Sequence, residues 1–119
     1  MSKQKDVLLR LAHDVSTSRV VDIERAFTAD FVLHDPSVGA QWRGHDGARR
    51  MMEGVLSFAP DLRMDAVDMI EEGDRVAVRW SVHGTRDGET LVASLVAIYR
   101  FVDGRIAEDW GVSVRKAWP

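Results

Sequence analysis

The chain has 119 residues, a formal net charge of −3 and no cysteine. A chain of this length can bury enough apolar surface to fold as one domain, residues 1–119, without disulfides or a structural metal. The missing cysteines exclude thiolate nucleophiles and zinc–thiolate sites, and the negative charge with scattered Lys and Arg argues against nucleic acid or an anionic membrane as a partner. The charged N-terminal segment lacks the apolar core of a signal peptide, so we expect a cytoplasmic protein.

The first half of the chain carries the apolar spacing of helices and one short strand. Ser2 can cap the first helix, and Pro36 and Pro60 mark the ends of a strand and of a later helix. In chain order, the spacing predicts a first helix that ends at residues 16–18, a second helix over 19–27, a strand over 31–34, a loop over 37–44 and a third helix over 46–58. The chain up to Pro60 is therefore expected to be mainly helical.

The second half consists of strand-like runs separated by turn signals. The runs cover residues 64–70, 76–83, 91–102 and 105–114, and the turns fall at residues 72–74, 86–88 and 102–104. Helices followed by hairpin-connected strands predict an α+β domain with a mainly antiparallel sheet. One face of this sheet is strongly apolar, whereas the outer face still carries Val96 and Ile98, more apolar surface than a monomer usually leaves in water. We therefore predict a homodimer through the outer face.

Three segments resemble the SnoaL-like polyketide cyclase family. They read FVLHDPSVGAQWRGHDGARRMMEGVLSFAPDLR, EEGDRVAVRWSVHGT and YRFVDGRIAEDWGV, and with the helical start they extend over nearly the whole chain. The family belongs to a superfamily of cone-shaped folds shared with nuclear transport factor and ketosteroid isomerase. The resemblance implies a curved sheet wrapped around the N-terminal helices, with an apolar pocket for a small hydrophobic molecule. Because such folds support many unrelated reactions, function depends on the residues of the site.

The resemblance also implies which side chains face the pocket. The inward set is Val78, Trp80, Val82, Leu95, Ala97, Tyr99, Asp109, Gly111 and Ser113. Arg79, His83 and Trp110 then face outward, towards a partner subunit. The predicted substrate-binding side chains are Trp42, Met51, Trp80, Ala97 and Ser113. In an alternative arrangement Trp42, Trp80 and Tyr99 collapse inward and fill the cone.

Asp35 is the first candidate for a catalytic acid or base. In the isomerases that the chain resembles, the general base is the aspartate of an Asp-Pro pair after the first strand, and this chain has Asp35-Pro36 there. Desolvation by an apolar pocket raises the pKa of a carboxyl group, which suits proton abstraction next to a carbonyl. Alternatively, Asp35 only caps a turn, a common role of aspartate. His34 can act as an acid or base or orient a substrate carbonyl, or it can be a strand histidine bonded to backbone.

Tyr99 and Asp109 are the other catalytic candidates. Leu11 and Ala97 stand where ketosteroid isomerases have their donors to the substrate oxygen, and no aspartate stands where the polyketide cyclases carry theirs. Tyr99 can replace the missing donors, or it can serve only in packing. Asp109 can act as a relocated acid or base if strand alternation points it inward, or it can be a solvated residue near the mouth of the cone.

Together with these candidate residues, the resemblance implies a cofactor-free enzyme that performs acid/base chemistry, of the cyclase (lyase) or isomerase type, on a hydrophobic or polycyclic carbonyl compound. No spacing of His, Asp and Glu matches a metal site, and no glycine-rich loop matches a nucleotide or flavin site, so neither a metal nor a cofactor is predicted. Two other functions stay open. One is a protein that binds a small ligand without chemistry, which the missing donors favour, and the other is a dimeric interaction module of the same fold.

Overall fold

The computed structural model describes residues 2–17, 19–39 and 41–119, and within them three α-helices accompany a six-stranded sheet. The elements are α1 (Lys3–Ser16), α2 (Ile23–Ala26), β1 (Phe27–His34), β2 (Trp42–Arg43), α3 (Gly44–Leu56), β3 (Arg63–Glu72), β4 (Arg75–Arg86), β5 (Glu89–Val102) and β6 (Arg105–Val114). A single 3-10 turn (Pro36–Val38) follows β1. The predicted α+β class is confirmed, and the sheet is open rather than closed into a barrel.

The first helix begins where the sequence predicts. Ser2 is its N-cap, and the Ser2 Oγ accepts a hydrogen bond from the Lys5 amide at 3.0 Å. The buried residues of α1 are Leu8, Ala12 and Val15. The helix ends at Ser16, and Ser18, part of its predicted end, lies outside the described residues.

The predicted helix over residues 19–27 is wrong over most of its length. The second helix is a single turn, and Phe27 already has extended backbone and begins β1. Val20 is 94% exposed, so it adds nothing to a buried helix face. The Phe27 and Phe31 rings are fully buried and meet edge to face, with their centroids 4.9 Å apart. Strand pairing and burial of these two rings outweigh the weak helical spacing.

The third helix begins two residues earlier than predicted, and part of the predicted loop before it is a strand. Trp42 and Arg43 form β2, which pairs with β1. Gly44, at φ +69°, turns the chain from β2 into α3. The described residues contain no helix that is both long and apolar enough to cross a membrane.

The sheet has the order β2-β1-β6-β5-β4-β3, and every neighbouring pair is antiparallel except β1 with β6. Both central residues of two predicted turns, Asp87-Gly88 and Asp103-Gly104, have positive φ angles, as a two-residue type I′ hairpin requires. The parallel pairing of β1 with β6 sets Leu33 beside Asp109. It therefore brings the end of β1 next to the middle of the last strand.

Helices α1 and α3 pack over the sheet, α1 mainly on β3 and α3 mainly on β1. The inward residues of β4 show why the sheet has a buried face. They are Val76, Val78, Trp80 and Val82, and all are buried. The helices cover this concave face without filling it, and the space between them is the pocket described next.

Candidate functional site

The concave face of the sheet and the helices enclose a cavity of about 330 Å³. Its helical walls come from α1 and α3, including Leu11 of α1 and Met51 of α3. The cavity lies at the small end of the range usual for ligand pockets. The collapsed arrangement, in which aromatic side chains fill the cone, is therefore not the one that forms.

Most side chains predicted to face the pocket line it. From the sheet these are Trp80, Val82, Leu95, Ala97, Tyr99, Asp109, Gly111 and Ser113, and from outside the main strands they are Trp42 and Met51. Val78 is the exception, because it is packed into the solid core at 1% exposure and contributes nothing to the cavity wall. Contact of Trp42, Met51, Trp80, Ala97 and Ser113 with a substrate stays a prediction.

Asp109 is a buried acidic residue in the wall of the cavity. It lies on β6, directly opposite Tyr99 of β5 and beside Leu33 of β1, and only 6% of its surface is exposed. Burial, with a smaller contribution from the nearby charge of Asp35, raises the pKa of Asp109 to about 7. The carboxyl group is therefore close to half ionised at neutral pH, so it can either accept or donate a proton.

Tyr99 presents a hydroxyl group to the same region of the pocket. The Trp80 indole Nε1–H donates a hydrogen bond of 2.9 Å to the Tyr99 hydroxyl oxygen, and both side chains are buried. Burial, with a smaller contribution from the charge of Asp109, holds the pKa of the Tyr99 hydroxyl well above its usual value. Because the hydroxyl oxygen already accepts from Trp80, its own proton is oriented away from Trp80 and is available to an acceptor.

Asp35 lines the pocket and also caps a turn. Its Oδ1 accepts hydrogen bonds from the Ser37 amide at 2.8 Å and from the Ser37 hydroxyl at 2.7 Å, at the start of the 3-10 turn. Asp35 is half-buried and close enough to Asp109 for its charge to affect the pKa of that group. Both interpretations of Asp35 thus have a structural basis, and its catalytic role stays a prediction.

His34 does not lie at the pocket. Strand alternation turns Leu33 and Asp35 inward and His34 outward, which corrects the expectation that His34 lies near the pocket rim. On the outer face, His34 Nε2 lies 2.8 Å from Glu108 Oε2, and its ring stacks on Trp110 with the centroids 5.0 Å apart. His34 therefore cannot contact a molecule in the pocket.

Glu108 completes a cluster that the sequence analysis did not identify. Its second oxygen, Oε1, accepts a 2.7 Å hydrogen bond from Arg100 Nε. The hydrogen bonds from Arg100 and then His34 lower the pKa of Glu108. Strand alternation and the hairpin between β5 and β6 could have predicted the contact of Glu108 with Arg100, because the two residues are opposite each other on neighbouring strands. The contact of Glu108 with His34 has no local sequence signal, because it depends on the pairing of β6 with the distant β1.

Arg115 is a pocket residue that the sequence analysis did not identify. It lines the cavity just beyond β6, and its guanidinium lies 5.0 Å from the centroid of the Phe58 ring, which also lines the cavity. Asp109, Gly111 and Ser113 are alternate residues that face inward, and Arg115 is the next residue in this alternation. The predicted strand ends at residue 114, so strand alternation makes no prediction for Arg115.

The described part of the chain has no group of three or more His, Asp or Glu side chains that could hold a metal ion. Besides Ser113 and Arg115, the polar side chains that line the cavity include the Asp109 and Asp35 carboxyls and the Tyr99 hydroxyl. These groups can exchange protons with a bound molecule and donate a hydrogen bond to it. The rest of the wall is mainly apolar.

This fold and pocket define a class of cone-shaped proteins that bind small molecules. Within it, the chain belongs to the family of SnoaL-like domains, whose family model matches residues 9–109. The suspected family membership is thus confirmed. No curated protein matches the chain.

Solved structures give the same fold. AclR of Streptomyces galilaeus, a proposed hydroxylase, is 26% identical with a TM-score of 0.81, and the match covers 98% of this chain and 81% of AclR. IdmH of Streptomyces antibioticus, a proposed polyketide cyclase, is 22% identical with a TM-score of 0.80 over 94% of this chain and 92% of IdmH. A proposed polyketide cyclase of Acidithiobacillus ferrooxidans is 22% identical with a TM-score of 0.81 over 96% of this chain and 89% of its own. The last two similarities concern the fold alone.

Proposed function

We propose that the protein is a cofactor-free enzyme that moves a proton at a carbon next to a carbonyl group in a small hydrophobic compound. The observation that carries this proposal is Asp109, a carboxyl group that is 6% exposed in an apolar pocket and has a pKa of about 7. A catalytic base is most effective when its pKa lies near the working pH. Burying the charged form of a carboxyl group is costly to the fold, and carboxyl groups with strongly shifted pKa values are typical of functional sites.

The reaction begins with proton transfer to Asp109. The Asp109 carboxylate accepts a proton from the carbon next to the substrate carbonyl, and the electron pair of the broken C–H bond forms an enolate. The Tyr99 hydroxyl donates a hydrogen bond to the enolate oxygen, and the hydrogen bond from Trp80 strengthens Tyr99 as a donor. Tyr99 thus supplies the negative-charge stabilisation that Leu11 and Ala97 cannot.

Two outcomes follow from the enolate. In an isomerisation, Asp109 returns the proton to a different carbon. In a cyclisation, the enolate carbon attacks a second carbonyl of the same molecule, a C–C bond forms, and the new alkoxide takes the proton from Asp109. The proposed polyketide cyclases among the structural relatives support the second outcome.

Hydrogen–deuterium exchange tests the proton transfer without knowledge of the natural substrate. β-Tetralone, a small aromatic ketone with exchangeable protons, is incubated with the protein in D₂O, and NMR follows the loss of its α-proton signals. We expect the wild type to accelerate this exchange and Asp109→Asn to lower the catalysed rate by about 10²-fold or more, the usual contribution of a general base. Tyr99→Phe should lower the rate and leave binding of the ketone in place.

Asp68→Asn is the matched control, because Asp68 is an exposed aspartate paired with Arg79 on the outer face. This variant should exchange as fast as the wild type. Equal rates for Asp109→Asn and the wild type would overturn the proposed role of Asp109. If the wild type binds the ketone without accelerating exchange, the protein is a non-catalytic ligand-binding module, the second candidate function.

We also propose that the chain forms a homodimer through the outer sheet face. Four apolar side chains on the adjoining strands β5 and β6 form an outer patch and are between 42% and 59% exposed. They are Val96, Ile98, Val112 and Val114. Val96 and Val112 are direct cross-strand neighbours, so the patch is continuous. Burial against a second copy is the simplest way to remove this surface from water.

A further inference from the structure

Part of the cavity wall is a row of residues along β6 with a polar side chain at each end. Asp109, Gly111 and Ser113 are its inward positions, and Arg115 follows at the same spacing beyond the end of the strand. Asp109 is buried and Arg115 is exposed, so the row runs from the depth of the cavity to its mouth. Among the described residues that line the cavity, Arg115 is the one Arg or Lys.

Gly111 keeps the row open between its two ends. A Cβ atom at this position would lie 3.3 Å from Asp109 Oδ1 and 3.4 Å from the Ala97 Cβ. Asp109 Oδ1 therefore leans over Gly111, in the direction of Ser113. A flat molecule that lies along β6 can contact Asp109 at one end and Arg115 at the other.

The Arg115 guanidinium is available to an anion. The guanidinium carbon lies 5.0 Å from the centroid of the Phe58 ring, which is a cation–π contact. Within the ranges 2–17, 19–39 and 41–119, no Asp or Glu oxygen lies within the 4.0 Å of an ion pair with Arg115. A guanidinium matches the geometry of a carboxylate and can donate two parallel hydrogen bonds to it.

We propose that the pocket takes a flat hydrophobic carbonyl compound with a carboxylate at its far end, which Arg115 binds at the mouth. The placing of the carbonyl near Tyr99 and Asp109 rests on the proposed function. One guanidinium balances one negative charge, which fits a carboxylate better than the dianion of a phosphate. A carboxylate deeper in the cavity would meet the like charges of Asp35 and Asp109, so the mouth is the favourable place for it.

Binding of matched acids and esters tests this inference. The probes are naphthoyl-substituted alkanoic acids of increasing chain length and their methyl esters, with affinities measured by calorimetry. We expect at least one acid to bind the wild type more tightly than its ester, and Arg115→Gln to weaken that acid by about tenfold, the size of one charge-assisted hydrogen bond. Affinity for the ester should stay unchanged, and added salt should weaken only the acid.

Arg50→Gln is the control, because the Arg50 guanidinium lies 4.5 Å from the Trp42 ring centroid but does not line the cavity. It should leave both affinities unchanged. The inference is overturned if Arg115→Gln weakens acid and ester equally, or if no acid of the series binds more tightly than its ester. This assay measures binding alone, so its result does not depend on the hydrogen–deuterium exchange experiment. Arg115 can select the acid even if the protein does not accelerate exchange, and exchange can be accelerated even if Arg115 does not select the acid.

Discussion

Glu108 and Asp109 are neighbours in the chain, yet the structure shifts their pKa values in opposite directions. Glu108 points to the outer face, where hydrogen bonds from Arg100 and His34 lower its pKa. Asp109 points into the cavity, where burial raises its pKa to about 7. Successive residues of a strand face opposite sides of the sheet. The negative charge of Glu108 is therefore stabilised on the outer face, whereas that of its neighbour Asp109 is destabilised by burial on the inner face.

The raised pKa of Asp109 predicts how stability depends on pH. The folded state holds the Asp109 proton up to a pH of about 7, whereas an unfolded aspartate loses it near about 3.9, so the wild type loses stability as pH rises between these values. Asp109→Asn lacks this loss. The free energy of unfolding of Asp109→Asn minus that of the wild type should therefore increase by up to about 4 kcal/mol as the pH rises from about 4 to about 8. Urea denaturation at both pH values measures the difference.

Asp68→Asn serves as the comparison for this measurement as well. Asp68 is exposed on the outer face, so its replacement should not produce the same trend with pH. A constant difference between Asp109→Asn and the wild type over the whole pH range would contradict the assigned burial of the charge.

At the level of elements, the parallel pair β1–β6 assembles the site. Asp35 follows the end of β1 and Asp109 lies on β6, and the two strands are also joined on the outer face by His34 and Glu108. Glu108 further bonds Arg100 of β5, so one carboxylate connects three adjacent strands. The cluster thus holds the end of β1 in place while its inner side carries Asp35.

Loss of this connection should loosen the end of β1. In Glu108→Gln we expect amide hydrogens of residues 33–35 to exchange with solvent up to about fivefold faster, because a partly exposed charged cluster contributes about 1 kcal/mol or less. Asp68→Asn, which removes the Arg79 pair between β3 and β4, should leave these amides unchanged. Hydrogen exchange followed by NMR checks both, and equal exchange at residues 33–35 in Glu108→Gln and the wild type would contradict the connecting role.

Elements with local signals were predictable from the sequence. The Ser2 cap, the Asp-Gly turns and the alternation that points Asp109 inward all depend on residues close together in the chain. The start of β1 at Phe27 was not predictable, because it depends on pairing with β6. His34 and Glu108 are separated by 74 positions in the chain, so no local pattern predicts their contact.

At the scale of the whole molecule, the sheet presents two different faces. The inner face encloses the cavity, and the outer face carries the outer patch. Trp118 packs on β4 of the outer face. Its Nε1–H donates a 3.0 Å hydrogen bond to the Trp80 carbonyl, and the Arg79 guanidinium carbon lies 5.1 Å from its ring centroid. The patch itself stays exposed in the single chain.

The proposed homodimer predicts a change of mass on substitution within the patch. Val112→Asp places a charge at its centre and should give a single-chain mass by sedimentation, whereas the wild type should give twice that mass. Leu56→Asp, on the exposed side of α3, introduces the same charge outside the patch and should stay dimeric. A wild type of single-chain mass, or a dimeric Val112→Asp, would show that this face is not the interface.

The most direct test of the account is the titration of Asp109 itself. NMR of the side-chain carboxyl carbon, assigned by comparison with Asp109→Asn, reports the pKa in the folded protein without any ligand. The structure predicts a midpoint of about 7. A midpoint near the ordinary aspartate value of about 3.9 would contradict the central claim, because Asp109 would then be a solvated surface group rather than a buried acid and base.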